Sequence, residues 1–132
     1  MARPNKPEIQ LGRMELQIMK VVWDMGAATA HDVRDVLSGG GRKPAYSTVR
    51  TMMAKIEAKG YLEHRVKDRT FVYRATITEK QVRRSMLGDL LDRAFDGSAQ
   101  LLLTSLVEQK RIGPTELRAI RKLLDEGGES DD

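Results

Sequence analysis

The feature of this sequence that most limits its fold is a change in hydrophobic period near Gly60. Before that glycine, apolar residues recur every three or four positions, which predicts helices over Gly12–Met25, Thr29–Ser38 and from about Ser47 to Lys59. After it the period becomes two, which predicts a hairpin with strands at residues 61–66 and 70–74. The first 75 residues therefore predict three helices followed by a β-hairpin.

Local signals support the ends of the first two helices. Gly26 follows the first helix, where glycine often terminates a helix. Thr29 is a good N-cap for the second helix, with Asp32 three positions later as in a capping box. The inner face of this second helix is predicted to consist of three apolar residues, Val33, Val36 and Leu37.

The remainder of the chain is predicted to be helical. The pattern indicates helices over about Glu79–Phe95, over Ala99–Gln109, and from Pro114, a residue favoured at the first helical position. We expect a mainly α fold with a small β-hairpin wing: a winged helix-turn-helix domain over residues 9–76 and a helical dimerisation domain over residues 77–126. Residues 1–8 and 127–132 are expected to be flexible tails.

The charge is divided unevenly along the 132 residues. Residues 1–74 carry 14 Lys/Arg against 8 Asp/Glu, whereas residues 75–132 carry 9 against 11. A basic first half favours a polyanionic partner for that half alone. The chain has no cysteine, which fits a cytoplasmic protein, and no apolar run long enough to suggest membrane insertion.

The third predicted helix has the properties of a helix that reads DNA. A helix in the major groove must be apolar behind and polar in front, with its first turns near the base edges. Arg50 can donate two hydrogen bonds to guanine, and Ser47, Thr48 and Thr51 can reach bases or phosphates. The predicted phosphate contacts are Arg42, Lys43, Lys55 and Lys59, with Lys67 and Arg69 at the tip of the wing.

Other classes of function are less favoured by the residues. His31 and His64 are the only histidines, and neither has metal-ligand spacing to another candidate, so no metal, cofactor or enzymatic activity is expected. Both histidines are expected at the surface, and His31 could touch a phosphate. Two alternatives stay open: a winged-helix regulator that senses a ligand through its C-terminal helices, and a protein–protein adaptor built on the same scaffold.

Several short motifs together resemble one family. Leu11-Gly12-Arg13-Met14-Glu15, Tyr46-Ser47-Thr48-Val49, Lys59-Gly60-Tyr61-Leu62 and Phe71-Val72-Tyr73 are similar to the penicillinase and methicillin-resistance repressors (BlaI/MecI type) over about residues 9–126. The resemblance implies a homodimer that binds an inverted repeat in double-stranded DNA and blocks transcription. It also implies base reading by Ser47, Thr48, Arg50 and Thr51, and a wing contact by Arg69.

The resemblance assigns the last three helices to dimerisation, which agrees with their short length and strong amphipathicity. The candidate interface residues are all aliphatic: Leu90, Leu101, Leu102, Leu106, Leu117, Ile120 and Leu123. Antibiotic-responsive members are inactivated by a regulatory protease, and their cleavage site aligns near Ser105 and Leu106. Those members carry Asn-Phe at this position, whereas this chain has Ser-Leu. The copper-responsive relatives carry a C-terminal cysteine cluster, which this chain lacks.

Overall fold

The computed structural model describes residues 8–40 and 43–127. The order of elements confirms the predicted mainly α fold with a small hairpin, and each predicted boundary lies within two residues of the observed one. The predicted C-terminal tail was wrong at Gly127, which belongs to the last helix, and residues 1–7 and 128–132 lie outside the described residues. The elements are α1 (Arg13–Met25), α2 (Ala30–Ser38), α3 (Tyr46–Ala58), β1 (Leu62–Lys67), β2 (Thr70–Ala75), α4 (Glu79–Ala94), α5 (Ala99–Glu108) and α6 (Pro114–Gly127).

The chain forms two compact units, one ending at Met86 and one beginning at Leu87. The first unit has one hydrophobic core to which α1, α2, α3 and the hairpin all contribute. Its fully buried side chains come mainly from the inner stripes of the three helices, spaced three and four residues apart: Ile18, Met19, Val22, Val33, Val49, Met53 and Ile56. This core fixes α3 against α1 and α2 and leaves its opposite face outside.

The predicted caps are present. The Thr29 hydroxyl accepts a hydrogen bond from the Asp32 N–H, and the Asp32 carboxylate accepts one from the Thr29 N–H, which completes a capping box at α2. Gly26 ends α1 with φ of 82°, a left-handed conformation that favours glycine. Thr78 and Gln81 form a reciprocal pair of the same kind at the start of α4.

Val36 does not lie on the inner face of α2, so this prediction was wrong. Its side chain is 55% exposed, while Ala30 and Val33 are buried and Leu37 is partly buried against the core. A helix turns by about 100° per residue. Ala30, Val33 and Leu37 therefore lie within one narrow sector, and Val36 falls beside it, toward solvent.

The two strands form an antiparallel hairpin whose base is buried and whose end is exposed. Pairing runs from Leu62 opposite Ala75 to Lys67 opposite Thr70. Tyr73 near the base is buried, and its backbone exchanges two hydrogen bonds of 2.9 and 2.8 Å with Ala28, the residue that precedes Thr29. Lys67 belongs to β1, so the turn consists of two residues rather than the predicted three.

The second unit has little interior of its own. Neither α5 nor α6 contains a buried residue. Leu123 and Leu124 on α6 are 68% and 65% exposed, and apolar residues of α5 are at most partly covered. None of the described helices is long and apolar enough to cross a membrane.

Candidate DNA interface

Helix α3 presents two chemically different faces. Val49, Met53 and Ile56 are fully buried, which orients the helix on the core. The polar residues of its first turns are all exposed: Ser47, Thr48, Arg50 and Thr51. Lys55 is exposed one turn further along. This is the arrangement that a helix in the major groove requires, with hydrogen-bonding side chains on its outer face and near its N-terminus.

These outward side chains are available for an external partner. Within residues 8–40 and 43–127, the hydroxyls of Ser47, Thr48 and Thr51 make no hydrogen bond to the protein. The residue at the N-cap of α3 is Ala45, whose side chain cannot accept a hydrogen bond. The Ala45 side chain therefore does not cap the N–H groups of the first turn of α3. These groups lie at the N-terminus of the helix, which is the positive end of the helix dipole.

The entrance of α3 is held by α2 through two contacts. The His31 ring stacks on Tyr46 with ring centroids 4.2 Å apart, and the Arg34 side chain donates a 3.2 Å hydrogen bond to the Pro44 carbonyl. Tyr46 therefore packs at the helix entrance as a support for α3. The role of Arg34 had no signal in the sequence, because its partner lies ten residues away across a loop.

The predicted phosphate contacts differ in their surroundings. Lys43, Lys67 and Arg69 are exposed, as the prediction requires. Arg42 lies outside the described residues. The Lys59 ammonium, by contrast, donates hydrogen bonds to the Glu15 carboxylate at 2.8 and 3.0 Å and to the Gln10 carbonyl at 3.1 Å. It holds α3 to the start of α1 and is already paired.

The pairing explains how the Glu15 carboxylate can be buried. Burial by itself raises the pKa of this group, but hydrogen bonds from Lys59 and the Gly12 N–H, together with the charges of Lys59 and Lys55, outweigh that effect. The net result is a Glu15 pKa below its ordinary value. Glu15 therefore remains a carboxylate that receives donors from two elements.

The turn of the hairpin carries basic residues in an unusual backbone conformation. Asp68 and Arg69 both have positive φ, 51° and 65°. A two-residue hairpin turn of this kind normally contains Asn-Gly or Asp-Gly, since a side chain is strained where φ is positive. Arg69 thus occupies a position where glycine would have less backbone strain. Its side chain is exposed, as is that of the nearby Lys67.

A contact between α3 and the hairpin was missed by sequence reasoning. His64 was expected at the surface, but it is half-buried, and its Nδ1 lies 2.7 and 2.8 Å from the two carboxylate oxygens of Glu57. Its ring stacks on Phe71 at 3.9 Å. The pKa of the neighbouring Tyr73 is raised by burial and by Glu57, while Arg50 acts in the opposite direction. Arg50 therefore lies within electrostatic reach of the base of the hairpin.

The predicted interface residues of the second unit are exposed or half-exposed in the single chain. Leu90, Leu101, Leu117 and Leu123 are exposed, whereas Leu102, Leu106 and Ile120 are partly buried. Ser105 and Leu106, the candidate cleavage region, lie within α5. The Ser105 carbonyl accepts a 3.0 Å hydrogen bond from the Gln109 N–H, so this part of the backbone is helical and hydrogen-bonded.

Comparison with known proteins gives consistent similarities. A family model described as penicillinase repressor matches residues 11–126. The penicillinase repressor of Bacillus licheniformis is 26% identical over 119 residues, covering 89% of this chain and 91% of that protein. The methicillin resistance regulatory protein MecI of Mammaliicoccus sciuri is 18% identical over 115 residues, covering 87% and 93%.

Two solved structures also align with this chain. BpsR of Bordetella bronchiseptica, described as a protein whose DNA binding is regulated by 6-hydroxynicotinic acid, is 19% identical with a TM-score of 0.41. Reduced MarR from E. coli is 14% identical with a TM-score of 0.45. Each alignment covers 83% of this chain, and the two alignments cover 70% of BpsR and 72% of MarR.

Proposed function

The chain belongs to the penicillinase repressor family and is a DNA-binding transcriptional repressor rather than an enzyme, and we propose that it acts as a homodimer on an inverted-repeat operator. In this proposal, α3 of each protomer enters the major groove of one half-site. The observation that carries it is the exposed polar face of α3, backed by a fully buried face and adjacent to a hairpin with a basic tip.

The side chains divide by the contacts they can make. Base edges are read by Ser47, Thr48, Arg50 and Thr51. Arg50 contributes most because its guanidinium can donate two hydrogen bonds to guanine. Three further cations bind phosphates and set the position of the protein on the duplex: Lys43, Lys55 and Lys67. Arg69 at the turn contacts the adjacent backbone or minor groove. Its strained φ supports this role, since strain in a turn persists where function selects the side chain.

Dimerisation is supported by the apolar surface of the second unit. Its helices expose leucines that a single copy of α5 and α6 does not cover. A segment of this length buries too little surface to be stable alone, and a two-fold partner with the same surface would cover it. Two linked recognition helices also bind far more tightly than one, because the second binding event is intramolecular.

The first test is fluorescence anisotropy with a duplex that covers the region upstream of the protein's own gene, beside a scrambled duplex. We expect selective binding whose affinity falls steeply with salt. With the four cations Lys43, Lys55, Lys67 and Arg69 in each of two protomers, the slope of log K against log salt should be roughly −7. Salt-insensitive or unselective binding would contradict the proposal and favour the adaptor alternative.

The variant Arg50→Ala tests the assignment of base reading. We expect it to lose about 1–3 kcal/mol of binding free energy per half-site on the selected duplex and little on the scrambled one. Arg13→Ala is the matched control, since it removes the same charge from the exposed start of α1. Equal losses for the two variants would show that Arg50 contributes only charge.

Relief of repression by a regulatory protease is a separate part of the proposal. The Ser105–Leu106 bond lies in a hydrogen-bonded helix, and proteases bind substrates in extended form. Cleavage there therefore requires local unwinding of α5. Mass spectrometry of the protein recovered from induced cells would locate the cut, and an intact chain after induction would contradict this mode of release.

A further inference from the structure

A polar contact between His64 and Glu57 attaches the hairpin to α3. Glu57 lies near the end of α3, and His64 lies in the middle of β1. Nδ1 of His64 donates to the Glu57 carboxylate at 2.7 Å, and the His64 ring covers Phe71 at 3.9 Å with an interplanar angle of 11°. The His64 side chain, on β1, thus contacts both α3 and β2.

The position of this contact matters because of how the hairpin is supported. Toward its base, Leu62 and Tyr73 are buried in the core, whereas Val66 and Phe71 toward the turn are 61% and 47% exposed. A two-stranded hairpin is only marginally stable by itself. His64 lies between the buried base and the exposed end of the hairpin. A contact at this point can therefore fix the direction of the exposed end relative to α3.

The charge of Glu57 also calls for an explanation. A carboxylate on the helix that approaches DNA repels phosphates and would weaken binding if it had no other role. Here both of its oxygens are directed at His64, and its side chain is only 30% exposed. Glu57 therefore contributes a contact that orders the protein, and it does not contribute to the attraction of DNA.

We propose that His64 and Glu57 are positioning residues that fix the direction of the wing relative to α3, so that Arg50 and Arg69 engage one half-site together. Neither residue needs to touch DNA for this. The inference rests on the proposed function, since it concerns how two DNA contacts are held in register. It predicts that loss of the pair removes the benefit of Arg69 and leaves that of Arg50 intact.

The test variant is Glu57→Gln, with Glu63→Gln as its matched control. Both remove one carboxylate, but Glu63 lies exposed on the opposite face of β1, away from His64. On the upstream duplex, we expect Glu57→Gln to bind on the order of tenfold more weakly, which is the size of effect that loss of the interaction between two contacting residues typically has. Glu63→Gln should bind equally or more tightly. Equal or tighter binding by Glu57→Gln would overturn the proposal.

Double variants separate positioning from a general loss of structure. The double variant Glu57→Gln with Arg69→Ala should bind the duplex only slightly more weakly than Arg69→Ala alone. In the double variant Glu57→Gln with Arg50→Ala, by contrast, the fold-losses in affinity of the two single variants should multiply. The reverse pattern would overturn the proposal. His64→Phe keeps the ring stack on Phe71 but removes the donor, so it should reproduce the pattern and replaces Glu57→Gln if that variant does not fold.

A measurement without DNA distinguishes this inference from the proposed function. Backbone ¹⁵N relaxation of residues 66–71 in the free protein should show larger motion in Glu57→Gln than in Glu63→Gln. If those amides stay as ordered as in the parent, the inference fails whatever the protein binds. If those amides become mobile in Glu57→Gln but the parent protein does not select its upstream duplex, the proposed function fails. The conclusion that His64 positions the wing would then still stand.

Discussion

Replacement of Lys59 by methionine is expected to destabilise the first unit without removing a DNA contact. In the parent protein, the Lys59 ammonium lies 2.8 Å from a Glu15 carboxylate whose side chain is only 5% exposed. Methionine keeps the length and apolar stem of lysine but not its charge. Glu15 would then retain the 2.7 Å hydrogen bond from the Gly12 N–H and lose its principal ion pair.

The size of the effect follows from the burial of the two partners. An exposed ion pair contributes at most about 1 kcal/mol, whereas removing one partner of a fully buried pair costs about 3–5 kcal/mol. Glu15 is buried, but the Lys59 side chain is 31% exposed, so water screens part of the interaction. We therefore expect Lys59→Met to lower the free energy of unfolding by about 2–3 kcal/mol at neutral pH.

The measurement is urea unfolding followed by circular dichroism at one fixed protein concentration, because the stability of the proposed dimer would depend on concentration. Lys20→Met is the matched control, since Lys20 lies exposed on α1. That control should change stability by no more than about 0.5 kcal/mol, as is usual for surface positions. A similar loss in both variants would mean that lysine charge in general, and not the Glu15 pair, stabilises the fold.

The pH dependence gives an independent check of the cause. The folded pKa of Glu15 lies below its ordinary value of 4.5, so its stabilisation is complete above pH 4.5 and disappears as pH falls through the folded pKa. In Lys59→Met, burial is no longer offset by the lysine and raises the pKa of Glu15. The stability difference between parent and variant should therefore begin to shrink above pH 4.5, as pH falls through the raised pKa of the variant, and should be smallest below the folded pKa of the parent. A difference that stays constant on acidification would refute the argument.

The remaining predictions concern the turn, the second unit and the capping box. Asp68→Asn with Arg69→Gly should stabilise the hairpin turn by a few tenths to about 1 kcal/mol in urea unfolding and yet weaken operator binding in anisotropy, since the strained arginine is the proposed contact. Leu123→Glu should shift the protein toward monomer in analytical ultracentrifugation, and an unchanged dimer would place the interface elsewhere. Thr29→Ala should lower the free energy of unfolding by about 1 kcal/mol through loss of the α2 cap, with no effect on DNA binding per folded molecule.

Those parts of the fold that depend on neighbours in sequence could be predicted from the sequence. The cap at Thr29, the termination of α1 at Gly26 and the change of period after Gly60 each involve residues within one turn or one strand of each other. The exposed polar face of α3 was predicted for the same reason, because burial of Val49, Met53 and Ile56 determines which residues point outward.

Contacts between distant residues could not be predicted. Lys59 was assigned to phosphate because it is a cation on the helix predicted to read DNA, but its partner Glu15 is 44 residues earlier in the chain. His64 and Glu57 are separated by only seven residues, yet their contact depends on the direction in which the hairpin leaves α3. Val36 shows the same limit for packing, since its spacing fits an apolar stripe that α2 does not use.

The residues that hold α3 in place and the residues proposed to read DNA are separate sets. Position is determined by the buried stripe of α3, by the Lys59–Glu15 pair at its end and by the His31–Tyr46 stack at its start. The hydroxyls of Thr48 and Thr51 take no part in this within the described chain, and substituting them should change binding with little change in stability. A repressor built in this way can acquire a different operator without endangering its fold.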